Sequence, residues 1–180
     1  VKADSFEELI DLCVAFYFMP PVRGRKVAIA GGGGGKSVLS ADVWEREGFE
    51  LPPIPAELRE ALREKAPHLW DWINNPIDRS IIGEAPLSSA EILRMMDEIE
   101  PLDLLVINLT EDSPWDFEIW SGVIKAEIDE AIRLKERGRP VLVVMNTPGL
   151  SPQDMESRRW KFLSGERERL ITVSYTHLTL

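Results

Sequence analysis

Cysteine is almost missing from this 180-residue chain. Cys13 is the single one, so no intrachain disulfide can form and the sequence suits a reducing compartment. Cys13 stands in an apolar helical stretch and reads as a small core residue. Only two histidines are present: His68 in a Pro-flanked surface stretch and His177 near the end, neither of which reads as catalytic. Basic residues are outnumbered, 21 Lys and Arg against 31 Asp and Glu, for a net charge of −10. That balance argues against a nucleic-acid or anionic-membrane surface, both of which need clustered cations to replace counterions. No apolar run reaches the roughly 18 residues of a membrane span, and the opening Lys2, Asp4, Glu7 and Glu8 do not form a secretory pattern. A cytoplasmic location is expected. The chain begins without Met and ends abruptly, which reads as a fragment of something longer.

What is present is a globular composition, 44% hydrophobic and 29% charged, enough for one core. Ser5 with Glu8 forms a capping box ahead of Leu9, Ile10, Leu12, Cys13 and Phe16, so the first segment reads as an amphipathic helix, stopped by Pro20 and Pro21. Lys26 to Ala30 is a short apolar, β-branched run. Five glycines follow, then Ser37 to Glu47, where Val38, Leu39, Val43 and Trp44 can line one helical face and Gly48 caps the end. Phe49 to Pro55 is extended, Ala56 to Lys65 has helical spacing, and Asn74-Asn75-Pro76 marks a turn. Ser88 with Glu91 opens a helix burying Ile92, Leu93, Met95 and Met96. Leu104 to Leu109 and Val141 to Met145 are buried strands. Between them Asp116 to Arg137 carries Trp120, Ile124, Ile128, Ala131 and Ile132 at three- and four-residue steps, and Ser151-Pro152 opens one more helix. Strands apolar on both faces, separated by helices, predict an α/β fold: a doubly wound parallel sheet, flavodoxin-like or Rossmann-like, in three α/β/α layers.

The glycine run from Gly31 to Gly35 falls at the carboxyl end of the first strand, where such sheets bind ligands. Glycines there allow positive φ and close backbone approach, and a helix N-terminus offers unpaired N–H donors. Gly32, Gly33, Gly34 and Gly35, with Lys36 and Ser37 adding a cation and a hydroxyl, are the candidate phosphate site. The alternative reading of the run is tight packing of helix on strand. Ala30 to Ser37 (AGGGGGKS) also satisfies a relaxed Walker A pattern. A matching acidic strand end is harder to find, since the two later strands pass through Asn108 and Asn146, although Glu111 and Asp112 follow closely.

The order of GRKVAIAGGGGGKSVLSADVWEREGFELPPIPAELREAL, NNPID and LDLLVINL resembles the C-terminal flavodoxin-like domain of nucleoside-diphosphate-forming acyl-CoA synthetases, relatives of succinyl-CoA ligase. The resemblance runs from about Ser5 to Ile171. It rests on the glycines after VAIA, Ala41-Asp42, the Leu51-Pro52 step and Asn75-Pro76-Ile77-Asp78. It implies a nucleotide-driven joining of a carboxylic acid to CoA through an acyl phosphate and a phosphohistidine, with helix N-termini steadying the phosphate. On this sequence that role falls to Gly32 to Gly35, Lys36 and Ser37. No catalytic residue and no metal ligand is assigned here, because the phosphorylated His motif, the CoA-binding segment and the ATP-grasp domain are not in this sequence. ATP or GTP, Mg²⁺ and CoA would belong to the complete enzyme, with CoA-binding and ATP-grasp domains or subunits as partners. The alternatives are a P-loop nucleotide-binding protein and a non-catalytic interface domain.

Asn75 and Asp78 read as an active-site edge or as a structural turn, since Asn before Pro favours extension and Asp can bond its own backbone. Trp44, Trp70, Trp72, Trp115, Trp120 and Trp160 read as core packing or as cover for a partner domain. The expected organisation is a linker helix over residues 1–22, the ligase domain over 23–172, and a non-native tail over 173–180. The resemblance implies a buried strand after RERLI, whereas Thr172 to Leu180 turns polar and reads as translated adapter sequence.

Overall fold

The computed structural model describes residues 2–82, 87–110, 115–146 and 157–176. Helix α1 (Phe6–Phe18) begins as expected: the Ser5 hydroxyl accepts from the Glu8 amide at 3.0 Å, while the Glu8 carboxylate accepts from the Asp4 amide at 2.6 Å. Its apolar side faces outward, however. Cys13 is exposed rather than a core residue, and Phe6, Leu9, Ile10, Phe16 and Tyr17 are exposed with it. Apolar residues ring this helix on more sides than one sheet face can cover; Met19, just past its end, is what reaches the core.

Three parallel strands, β1 (Val27–Gly31), β2 (Leu104–Thr110) and β3 (Val141–Asn146), lie in the order β1-β2-β3. Val27 stands opposite Leu104, and Leu105 opposite Val141. Strand alternation then divides the core. Val27, Ile29, Leu104 and Val106 pack with Trp44, Phe49 and Leu51 on one face. Ala28, Ala30, Leu105, Ile107 and Leu109 join the larger cluster on the other, which includes Leu93, Trp120, Ile128 and Leu163. Those residues come from α5 (Ser89–Ile99), α6 (Phe117–Glu136) and α7 (Arg158–Thr176), while Trp44 comes from α2 (Gly34–Arg46). Helices on both faces confirm the three layers.

The free edge of β1 is partly covered. Lys26 bridges Glu50 and Ala30 bridges Ile77, both in parallel. The chain therefore leaves β1 to one side through α2 and α3 (Ala56–Lys65), turns through α4 (Arg79–Ile82), and returns through α5 to pair β2 on the other side. This reversal is the switch point of a doubly wound sheet.

Capping follows the sequence closely. The Ser88 hydroxyl accepts from the Glu91 amide at 3.0 Å and Asp116 caps α6 through the Ile119 amide at 2.9 Å. Gly48 and Gly138 end their helices with φ of 83° and 73°. The Ser151-Pro152 start lies outside the described residues; the last described helix begins at Arg158 behind Ser157, whose hydroxyl accepts from the Trp160 amide at 3.1 Å. Met95 and Ile132, expected in the core, are only half-buried at its margin.

Two further differences concern α2. It starts at Gly34, three residues before the expected Ser37, because Gly33 takes the extended capping conformation and frees the next two glycines to be helical. Its predicted apolar face is mostly uncovered as well, with Val38 61%, Leu39 67% and Val43 46% exposed. The helix rests on the sheet through Trp44, leaving that stripe on the outside. At the far edge, β3 pairs only with β2 among the described residues. A pocket of about 860 Å³ lies there between α1, β3 and α7.

Candidate functional site

β1 enters the site with all five residues buried. Gly31 and Gly32 have φ of 85° and 73°, which side chains rarely adopt. The Gly31 amide donates to the Ile77 carbonyl at 3.1 Å and the Gly32 amide to the Asn108 carbonyl at 3.1 Å. These two bonds turn the chain across the ends of its neighbours. Gly33 then caps α2 with no side-chain partner, so the amides of the first turn meet no side-chain acceptor from the cap. They form the positive end of a 13-residue helix. Gly34, Gly35 and Lys36 are exposed, which opens this end to solvent.

Ser37 is 6% exposed, and its hydroxyl has no hydrogen-bond partner among the described residues. It lies 4.0 Å from where a Cβ on Gly32 would stand. A buried hydroxyl without a partner is uncommon, and here it sits beneath the turn. Glycines 32 to 35, Lys36 and Ser37 are thus brought together as one cradle.

The Asn75 to Asp78 segment separates into two roles. Asn75 is structural: its amide oxygen accepts from the Ile29 amide, and its amide nitrogen donates to the carbonyls of Val27 and Pro52, each at 3.0 Å. One side chain thereby replaces part of a missing strand partner along β1. Ile77 continues the pairing, its amide donating to the Ile29 carbonyl at 2.7 Å. This delivers Asp78 to the cradle. Oδ1 of Asp78 accepts from the amide and hydroxyl of Ser80, both at 2.7 Å, while Oδ2 lies 3.1 Å from the position of a Cβ on Gly34.

Below the mouth lie two buried ionisable side chains that sequence reading missed. Arg79 is 6% exposed, sits 5.5 Å over the Trp115 ring, and has one guanidinium nitrogen, Nη1, without a partner among the described residues. Glu127 is fully buried and caps α5, accepting from the Ser89 amide at 3.0 Å, the Ser89 hydroxyl at 2.5 Å and the Ala90 amide at 2.7 Å. Burial pushes the Glu127 carboxyl above the ordinary value of 4.5, against those bonds and Arg79. Burial likewise pulls Arg79 down, against Glu127 and Asp78. In the sequence Glu127 is one acid among several on a long helix, and nothing local marks it as buried. No cluster able to hold a metal occurs among the described residues. His68 is exposed and His177 lies outside the described residues.

Helices on both faces of a parallel sheet, with a glycine turn closing its first strand, define a flavodoxin-like α/β domain. No model of a known protein family matches the chain. The chain is similar to ADP-forming acetate–CoA ligases. It is 27% identical over 144 residues to subunit alpha of acetate–CoA ligase [ADP-forming] II from Pyrococcus furiosus, covering 79% of this chain and 30% of that protein. It is 33% identical over 78 residues to acetate–CoA ligase [ADP-forming] II of Archaeoglobus fulgidus, covering 43% and 11% respectively. Among solved structures, the apo acetyl-coenzyme A synthetase 1 of Ca. Korarchaeum cryptofilum matches 99% of this chain and 41% of its own, with TM-score 0.56 and 22% identity. The same protein in complex with phosphate and ADP gives 0.55 and 21%, over 99% and 40%. These likenesses establish the fold. The chain spans about a third or less of the length of the ligases it matches.

Proposed function

We propose that this chain is the flavodoxin-like domain of an NDP-forming acyl-CoA ligase. In this reading the start of α2 steadies a phosphate, free or carried on a histidine, during thioester formation. The observation that carries it is the cradle itself: a helix start whose cap, Gly33, offers no side-chain acceptor, exposed Gly34 and Gly35, and a buried Ser37 hydroxyl with no partner among the described residues. The comparison protein solved with phosphate and ADP supports the same chemistry. Amides and hydroxyl donate to phosphate oxygens, the helix end opposes their charge, and Lys36 adds a cation on the first turn. The nucleotide, Mg²⁺ and CoA would be held by CoA-binding and ATP-grasp partners in the longer protein, within the cytoplasm, and the chain alone would not turn over. The turn supports this over a P-loop: only Gly32 and Gly33 separate β1 from α2, fewer residues than a Walker A cradle uses.

Titration of the purified chain with phosphate and with Mg·ATP, followed by Trp fluorescence, tests the reading. Weak phosphate binding without nucleotide preference, lost in Gly34→Val, is expected. Tight, Mg²⁺-dependent ATP binding would overturn it in favour of a P-loop, and the absence of any anion affinity would leave the glycines as packing alone.

A further inference from the structure

A carboxylate at the mouth of an anion cradle is electrostatically out of place unless the anion brings a proton. Oδ1 of Asp78 is engaged twice by Ser80, which fixes the carboxylate and aims Oδ2 at the start of α2, 3.1 Å from the Cβ position of Gly34. On the same cradle the Ser37 hydroxyl, 6% exposed, has no partner among the described residues and sits beneath the turn. One wall therefore offers N–H and O–H donors, and the other offers a carboxylate oxygen as an acceptor. Sulfate can satisfy only the first wall, since near neutral pH it has no hydrogen to donate and would set lone pairs against Oδ2. Hydrogen phosphate satisfies both: its unprotonated oxygens accept from the amides and Ser37, and its P–OH donates to Asp78.

We propose that Asp78 makes the cradle selective for an oxyanion that retains a proton, with hydrogen phosphate preferred over sulfate. This rests on the anion-site reading above and adds to it the protonation state of the ligand. Asp78 is a specificity residue in this account, and Ser80 positions it.

The experiment is a pair of calorimetric titrations of the full chain, with inorganic phosphate and with sulfate, at fixed ionic strength near neutral pH. A charge-assisted hydrogen bond is worth roughly tenfold in affinity or more, so phosphate should bind about tenfold or more tightly than sulfate. In Asp78→Asn the two should come within about twofold, chiefly through a gain for sulfate. Ser37→Ala should weaken both anions and leave their ratio unchanged. Equal binding of the two anions by the parent chain, or an unchanged ratio in Asp78→Asn, overturns the proposal while leaving the anion site standing. Binding of neither overturns the anion site itself. Near-UV circular dichroism of the tryptophans reports whether each variant folds. Should Asp78→Asn fail to fold, Ser80→Ala keeps the carboxylate but loosens it, and an undiminished phosphate preference there would sink the idea.

Discussion

A methyl group at Gly31 would lie 2.2 Å from the Asn108 carbonyl oxygen, on a backbone with φ of 85°. Neither strand can yield, because β1 is wholly buried and β2 nearly so. Gly31→Ala should therefore cost roughly 2–4 kcal/mol, read as a lowered urea midpoint. Gly35 is different: it is helical, exposed, and nothing lies within 4 Å of an added Cβ. Gly35→Ala should leave stability unchanged or raise it by up to about 1 kcal/mol through helix propensity. If it also weakens phosphate binding, the glycine is there for the ligand's approach rather than for the fold. Calorimetry and denaturation on the same variant separate the two effects.

At the scale of elements, Asn75 fastens β1 and the Pro52 segment with three hydrogen bonds made by one side chain. Asn75→Ala leaves the Ile29 amide without a partner beneath the cradle. A loss of about 2–4 kcal/mol is expected from denaturant unfolding, together with a smaller preference for phosphate over sulfate because Asp78 is no longer delivered. Glu127 performs a comparable task between α5 and α6, with a titration attached. Its carboxyl binds protons more tightly folded than unfolded. The native state thus holds more protons over the window that opens at the ordinary value of 4.5 and extends up to the raised one. Stability from this group falls as pH rises through that window. Glu127→Gln should remove that slope, so the stability difference between parent and variant should shift with pH in the variant's favour; a parallel pair of curves would count against the assignment.

For the molecule as a whole, the three strands are alike in composition but unlike in shelter. β1 is entirely buried and β2 nearly so, whereas Leu142 and Val144 of β3 are 36% and 39% exposed at the sheet's open edge. Native-state hydrogen exchange should show β3 amides opening at lower free energy than those of β1 and β2. Equal protection across the sheet would mean that this edge is covered in solution. The apolar stripes on α1 and α2 would suit the partner domains proposed above.

Local rules alone determined the three strand cores, the capping boxes at Ser5 and Ser88, the C-terminal glycines Gly48 and Gly138, and the placing of the glycine turn at a strand's carboxyl end. Each depends on residues within a few positions of one another. Which way a helix faces was not so legible: α1 and α2 carry apolar residues that the sequence assigns to a core and the structure leaves outside. Burial depends on what lies across the sheet, and periodicity does not record it. The same holds at the site. NNPID announces a turn, but only the pairing of Ile77 with β1, residues 46 to 48 positions apart, puts Asn75 against the strand and Asp78 at the mouth of α2. Tertiary structure decided which of those residues holds the fold and which faces the start of α2, because hydrogen-bond partners brought together by chain crossing have no signature in neighbouring residues.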